Sequence, residues 1–124
     1  MSEQAFPRQH PRLRLDDNFA SPIRFSLMAS LGEDLELEFG TLTEILQAND
    51  SALSKAISHL HDAGYVLAQR GMVNGRARTQ VRATKAGREA FAAHLRALQE
   101  IVDLGATPRV TAVESGSESE RLAE

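Results

Sequence analysis

The run "YVLAQRGMVNGRARTQVRAT", residues 65–84, decides the fold. Its ends, "YVLAQ" and "TQVRAT", have the β-branched and aromatic content of strands, and the Asn74-Gly75 pair between them is a signature of a tight β-hairpin turn. Three arginines, Arg70, Arg76 and Arg78, lie around that turn, and no Asp or Glu occurs between Asp62 and Glu89 to pair with them along the chain. Guanidinium groups gathered on a projecting ribbon suit an anionic partner outside the protein, such as a phosphate backbone or a minor groove.

Upstream, "TLTEILQANDSALSKAISHLHDAGYV" holds two helical patterns broken by "QAND". The first carries Leu42, Ile45 and Leu46. The second opens at Asn49, a good N-cap, places Leu53, Ile57 and Leu60 on one face, and ends at Gly64. A short helix, a tight turn and a longer helix make a helix-turn-helix, and a hairpin directly after it is a wing. At about 100° per residue the side of the second helix opposite its apolar face presents Ser51, Lys55, Ser58 and Asp62, flanked by Ser54 and His59. Small hydroxyls and one lysine allow close approach to a duplex, although any solvated helix face can carry the same residues.

Further out, "SPIRFSLMASL" predicts a helix capped by Ser21, with Ile23, Leu27 and Leu31 on one stripe and Met28 beside it. The segment "GEDLELEFG" alternates Leu35, Leu37 and Phe39 inward against charged neighbours, which predicts a short strand. The run "TKAGREAFAAHLRALQEIVDL" predicts a long last helix, capped by Thr84 and stopped by Gly105-Ala106-Thr107-Pro108. The expected architecture is mainly α with a small β-hairpin: a winged helix-turn-helix in the order α-β-α-α-β-β-α. Residues 1–13 read as a flexible basic arm, 14–105 as the domain with its C-terminal helix, and 106–124 as a disordered acidic tail.

Of the chain's 124 residues, 42% are apolar and 25% charged, a globular composition, and none is cysteine, which excludes disulfides and thiolate metal sites. There is neither a secretory apolar region at the start nor a run long enough to cross a bilayer, so a cytoplasmic location without membrane attachment is expected. The net charge of −3 hides a strong asymmetry. Residues 15–53 hold one Arg against eight acids, whereas residues 54–88 hold seven Lys or Arg against Asp62 alone. A basic segment of that kind is the electrostatic mark of a polyanion partner, unless it is simply solvated or pairs with the acidic middle.

The last helix bears on assembly. Phe91, Leu95, Leu98 and Val102 form one apolar stripe, and Ala90, Ala97, Ile101 and Leu104 a second beside it. One stripe covers the domain's own core, and a second leaves apolar surface for a partner helix. A homodimer is therefore expected through Phe91, His94, Leu95, Leu98, Ile101 and Val102, with half-sites roughly 34 Å apart on the duplex. A single wide core-facing stripe is the alternative.

From about Leu15 to Leu104 the chain resembles the small winged-helix transcriptional regulators related to the MarR group. The resemblance rests on "SPIR" opening the first helix, "LSKAISHLHDAGYV", "RGMVNGRART" and "TKAGREAF". It implies a dimeric winged helix whose third helix, here Ser51 to Asp62, enters the major groove. It also implies a wing role for Arg70, Arg76 and Arg78 and a place beside the phosphates for Ser54 and Lys55. Two positions depart from the pattern: Ala52 stands where a polar side chain is common, and Val81 where an aromatic is usual.

No catalytic constellation is visible. His59 and His61 face different sides of a helix, His10 and His94 stand alone, and no phosphate-cradling loop or zinc motif occurs, so neither catalysis, metal nor cofactor is expected. The expected function is sequence-specific binding of double-stranded DNA by a homodimeric transcriptional regulator. Lys55, Arg76, Arg78 and Arg82 would neutralise phosphates, and Ser51, Ser54, Ser58 and His59 would lie along the helix. A protein-interaction module of the same fold is the alternative, and RNA binding, with only six aromatic residues in the chain, a weaker third.

Overall fold

The computed structural model describes residues 9–33 and 35–113. Seven regular elements follow in the expected order: α1 (Pro22–Leu31), β1 (Glu36–Glu38), α2 (Phe39–Leu46), α3 (Asp50–Asp62), β2 (Val66–Val73), β3 (Arg76–Ala83) and α4 (Lys85–Val113). Two short 3-10 turns, Pro11–Arg14 and Asp17–Phe19, precede them. Asp16–His94 forms one compact unit, and the residues before Asp16 with those from Leu95 onward form another.

The caps explain where most helices begin and end. Ser21, Asn49 and Thr84 each accept a backbone N–H from the first turn of α1, α3 and α4, at 3.3, 2.7 and 2.9 Å. After α3 the chain closes a Schellman arrangement. Gly64, at φ +83°, donates to His61 O, and the Tyr65 amide donates to Leu60 O, both at 2.9 Å. In the turn between α2 and α3, Gln47 takes the left-handed conformation at φ 51°.

The core lies where α1, α2 and α3 meet the sheet. Leu27, Leu31, Leu42, Leu53, Leu60 and Val81 are fully buried, with Phe19, Met28 and Val66 nearly so. Each of the large side chains contributes roughly 1.5–3 kcal/mol by leaving water. The sheet is antiparallel in the order β1-β3-β2. β2 pairs with β3 from Val66↔Ala83 to Val73↔Arg76 across a two-residue turn, whose Asn74 (φ 53°) and Gly75 (φ 77°) have the paired positive φ of a type I′ hairpin. β1 pairs on the other side, Glu36↔Arg82 to Glu38↔Gln80.

Several expectations need correction. β1 is shorter than its alternating pattern: Leu35 is exposed, Leu37 alone faces inward at half burial, and Phe39 opens α2 instead of closing the strand. Three residues suffice there because β1 is an edge strand held by β3 alone. Ile45 lies on the outer side of α2, where eight residues bury only Leu42 completely. Gly105 and Pro108 do not stop α4, which runs to Val113. A proline inside a helix removes one backbone hydrogen bond and crowds the carbonyl four residues back, at a cost of about 3 kcal/mol, which weakens a helix without always ending it. Within the stretch read as an arm, His10 Nδ1 caps the turn Pro11–Arg14. Residues 1–8, with Arg8, and 114–124 lie outside the described residues.

Where β3 passes into α4, the chain leaves no room for a side chain. The Thr84 amide donates to Tyr65 O and the Thr84 hydroxyl to Gly64 O, at 2.9 and 2.7 Å, which brings the first turn of α4 against Tyr65. A Cβ on Gly87 would collide with the Tyr65 carbonyl. Gly87→Ala should therefore destabilise the fold by about 1–3 kcal/mol or more, read as a fall in thermal midpoint. A midpoint equal to wild type would show that the approach is looser than described.

Candidate nucleic-acid interface

The outer face of α3 is built by its inner one. Leu53, Ala56, Ile57 and Leu60 are buried against the core, and this leaves Ser51, Ser54, Lys55, Ser58, His59 and Asp62 exposed on the opposite side. All six were expected there. His59 is not wholly available, because its Nε2 lies 2.9 Å from Asn18 Oδ1 and the contact ties the end of α3 to the segment before α1.

On the hairpin, strand alternation sorts the arginines onto two faces. By the register, Arg70 and Met72 share the face that carries Val66, Val81 and Ala83 into the core, whereas Arg76, Arg78 and Arg82 share the other. None sits in a loop, because only Asn74 and Gly75 make the turn. The absence of nearby acids along the chain also proves misleading in space. β1 brings Glu36 directly opposite Arg82 and Glu38 opposite Gln80, on the arginine-bearing face. Glu38 Oε2 lies 3.5 Å from Arg78 Nε, a nitrogen buried from solvent with no hydrogen bond. Arg78 is thus held by the protein's own carboxylate, and Arg82 faces another. Among the described residues, Arg70, Arg76 and Arg82 have no ion pair.

A polar knot that the sequence did not reveal joins four parts of the domain. The Asp16 amide donates to His94 Nδ1 on α4 at 3.0 Å, Asp16 Oδ2 accepts the Tyr65 hydroxyl at 2.6 Å, and Asp16 Oδ1 accepts the Asn18 amide at 2.9 Å. Arg24 of α1 donates its Nε to Asn18 O at 2.8 Å. Phe19 stacks on Tyr65 at 5.3 Å and packs edge-on against Phe91 at 5.2 Å. Burial pushes Asp16 up, but the hydrogen bonds from Tyr65 and Asn18, with His94 nearby, outweigh it and hold the carboxyl below its ordinary value. The bond to Asp16, with burial added, raises Tyr65. Burial lowers His94, and the Asp16 carboxylate offsets this only partly. The Asx pattern "DDNF" ahead of an apolar helix was the available signal for this knot.

Comparison with known proteins agrees with this geometry. The sequence profile of the winged helix DNA-binding domain matches residues 23–102. The chain belongs to that family. Among solved structures, this winged helix is similar to the transcriptional regulator homologue from Pyrococcus horikoshii OT3, with 24% identity over 71% of this chain and 87% of that one and a TM-score of 0.67. It is also similar to YusO from Bacillus subtilis, with 16% identity over 92% and 75% and a TM-score of 0.68. A third, the multiple antibiotic resistance repressor MarR, gives 16% identity over 82% and 75% and a TM-score of 0.55. At these identities the likeness is one of fold, and the fold is that of MarR-type regulators. No curated protein sequence matches the chain. The family is one of DNA-binding domains, and no helix among the described residues is long and apolar enough to cross a membrane.

The winged helix distributes its expected dimer residues unevenly. His94 is only 6% exposed, packed among Phe19 and Phe25, and Phe91 packs on the same two rings. Both face their own core and have little surface to give a partner. Leu95 and Val102 remain 42% and 63% exposed, Leu104 is exposed, and Leu98 and Ile101 are half-buried. Just after the stretch read as an arm, Arg14 pairs with Glu100.

A neutral His94 is part of the knot, since protonating Nδ1 would set an N–H against the Asp16 amide. Its folded pKa is depressed, so its contribution to stability is complete above the ordinary histidine value of 6.5 and is lost as pH falls below it. Melting curves should show a midpoint that declines below that pH, and His94→Gln, which keeps an acceptor, should remove most of the decline. Tyr65→Phe should cost about 1–3 kcal/mol at neutral pH by leaving Asp16 Oδ2 without its donor. A pH profile unaltered by His94→Gln would disprove the assignment.

Proposed function

We propose that this winged-helix protein is a sequence-specific double-stranded DNA-binding transcriptional regulator acting as a homodimer. The observation that carries the reading is the exposed polar face of α3, with Ser51, Ser54, Lys55 and Ser58, next to a hairpin that carries unpaired arginines. In this reading α3 enters the major groove. Its serines and lysine meet base edges and phosphates, and the hairpin reaches along the backbone or into the minor groove. The similar solved proteins described as transcriptional regulators or as a repressor support the same class of activity.

The second copy is proposed to cover the apolar stripe of Leu95, Leu98, Ile101, Val102 and Leu104, without Phe91 and His94. Exposed leucine and valine side chains at helical spacing favour a helix–helix contact between copies. Val102→Glu combined with Leu95→Glu should shift the protein from dimer to monomer in sedimentation experiments while leaving its circular dichroism unchanged. Wild-type protein that sediments as a monomer would rule out this assembly.

Salt dependence tests the DNA reading. With Lys55, Arg70 and Arg76 of each subunit on phosphates, six contacts per dimer, log affinity should fall against log salt with a slope of roughly −5. Arg76→Ala should weaken binding to all duplexes alike, and Ser51→Ala should change the preference among them. Glu38→Gln should release Arg78 and steepen the slope by about 1–2. A flat salt response would exclude duplex binding and leave a protein-interaction role for the fold, whereas equal binding to single strands would refute its specificity for duplexes.

A further inference from the structure

The tip of the hairpin is chemically unlike its base. Met72 is 69% exposed, the most exposed of the large apolar side chains among the described residues, and Val73 beside it is exposed as well. Neither packs on the core, and neither belongs to the apolar stripe of α4. The register gives each an arginine on its own side: Met72 shares a face with Arg70, and Val73 stands opposite Arg76. The remaining tip positions are small or short, namely Gly71, Asn74, Gly75 and Ala77, with Ala77 directly across from Met72. The two-residue turn makes the end narrow, and across the ladder from Met72 stands only an alanine.

Met72 and Val73 are adjacent, so the ribbon end exposes a pair of apolar side chains beside its arginines and not a single scattered one. Of the cations further along, Arg78 is held by Glu38 and Arg82 stands across the ladder from Glu36, so their charge is partly offset by carboxylates on the same face. The attraction for phosphate is therefore weighted toward the tip, around the apolar side chains. Proteins that work in the minor groove combine arginine on its walls with an apolar wedge, methionine among the residues used, set against a base step. That groove is about 6 Å wide, which favours a slender probe.

Resting on the DNA-binding reading above, we infer that Met72, beside Arg70 on one face of the ribbon tip with Arg76 on the other, is a wedge pressed against the floor of the minor groove, and that it favours easily opened or A·T-like steps beneath the wing. Arg78 is a positioning residue that braces the ribbon against β1 through Glu38. A methionine is flexible enough to fit steps of unequal shape, so the expected preference is for deformability and groove width and not for one base.

The test uses a duplex selected by the full-length wild-type protein from random-sequence DNA, a version with G·C pairs placed beneath the wing, and that G·C version with inosine in place of its guanines, against which the inosine gain is measured. Inosine removes the amino group from the minor groove and leaves the major groove unchanged. Wild-type protein and Met72→Leu should bind the inosine duplex roughly three- to tenfold tighter, and both should bend circularly permuted fragments. Met72→Ala should lose the inosine gain and the bend while keeping the wild-type salt slope, whereas Arg70→Ala should lose the gain and lower the slope. If the wild type ignores inosine, or Met72→Ala bends DNA as before, the wedge is refuted while duplex binding stands. If no duplex is selected or bound, DNA binding itself falls, and the wedge with it.

Discussion

Asp16 is the point on which the domain's geometry turns. Its amide reaches α4, its two carboxylate oxygens reach Tyr65 at the start of β2 and the amide of Asn18, and Asn18 in turn holds Arg24 on α1 and His59 on α3. Apolar packing alone fixes how deeply these elements sit, but it is tolerant of rotation and sliding. A short network of hydrogen bonds to one charged group is directional, and buried groups left unmatched are costly. The orientation of α3, on which any reading of a duplex would depend, is thus set partly from behind, by residues that never face a ligand.

The second constraint is electrostatic. The acidic stretch before α2 is not a separate region of the molecule. Through β1 it lies along the basic hairpin, with Glu36 and Glu38 on the same side as Arg78 and Arg82. Cross-strand pairs of opposite charge stabilise such a sheet by a few tenths to about 1 kcal/mol each. They also restrict its affinity for phosphate to the cations that remain outside the pairing. A basic segment counted along the chain therefore overstates the charge open to a partner.

Much of this was legible in the letters. The order of elements, the caps at Ser21, Asn49 and Thr84, the Gly64 exit and the Asn74-Gly75 turn are local signals, set by residues within a few positions of one another, and the inward and outward faces of α3 follow from helical spacing. What could not be read is what depends on chain-distant neighbours. The pairing of Glu38 with Arg78 requires the sheet order, and the burial of His94 requires knowing that Phe19 and Phe25 fold over it. The same limit explains Ile45, which fits a helical stripe yet belongs to a helix too short to bury it, and the continuation of α4 past Gly105 and Pro108.

The turn of only two residues carries a genetic consequence. Because side chains alternate along a strand, inserting or deleting one residue between Val73 and Arg76 and letting the ladder slip would send every arginine of β3 to the opposite side and carry Val81 away from the interior. Length changes at this loop are thus tied to the integrity of the core, and natural variation along the wing should proceed by exchange of side chains at constant loop length.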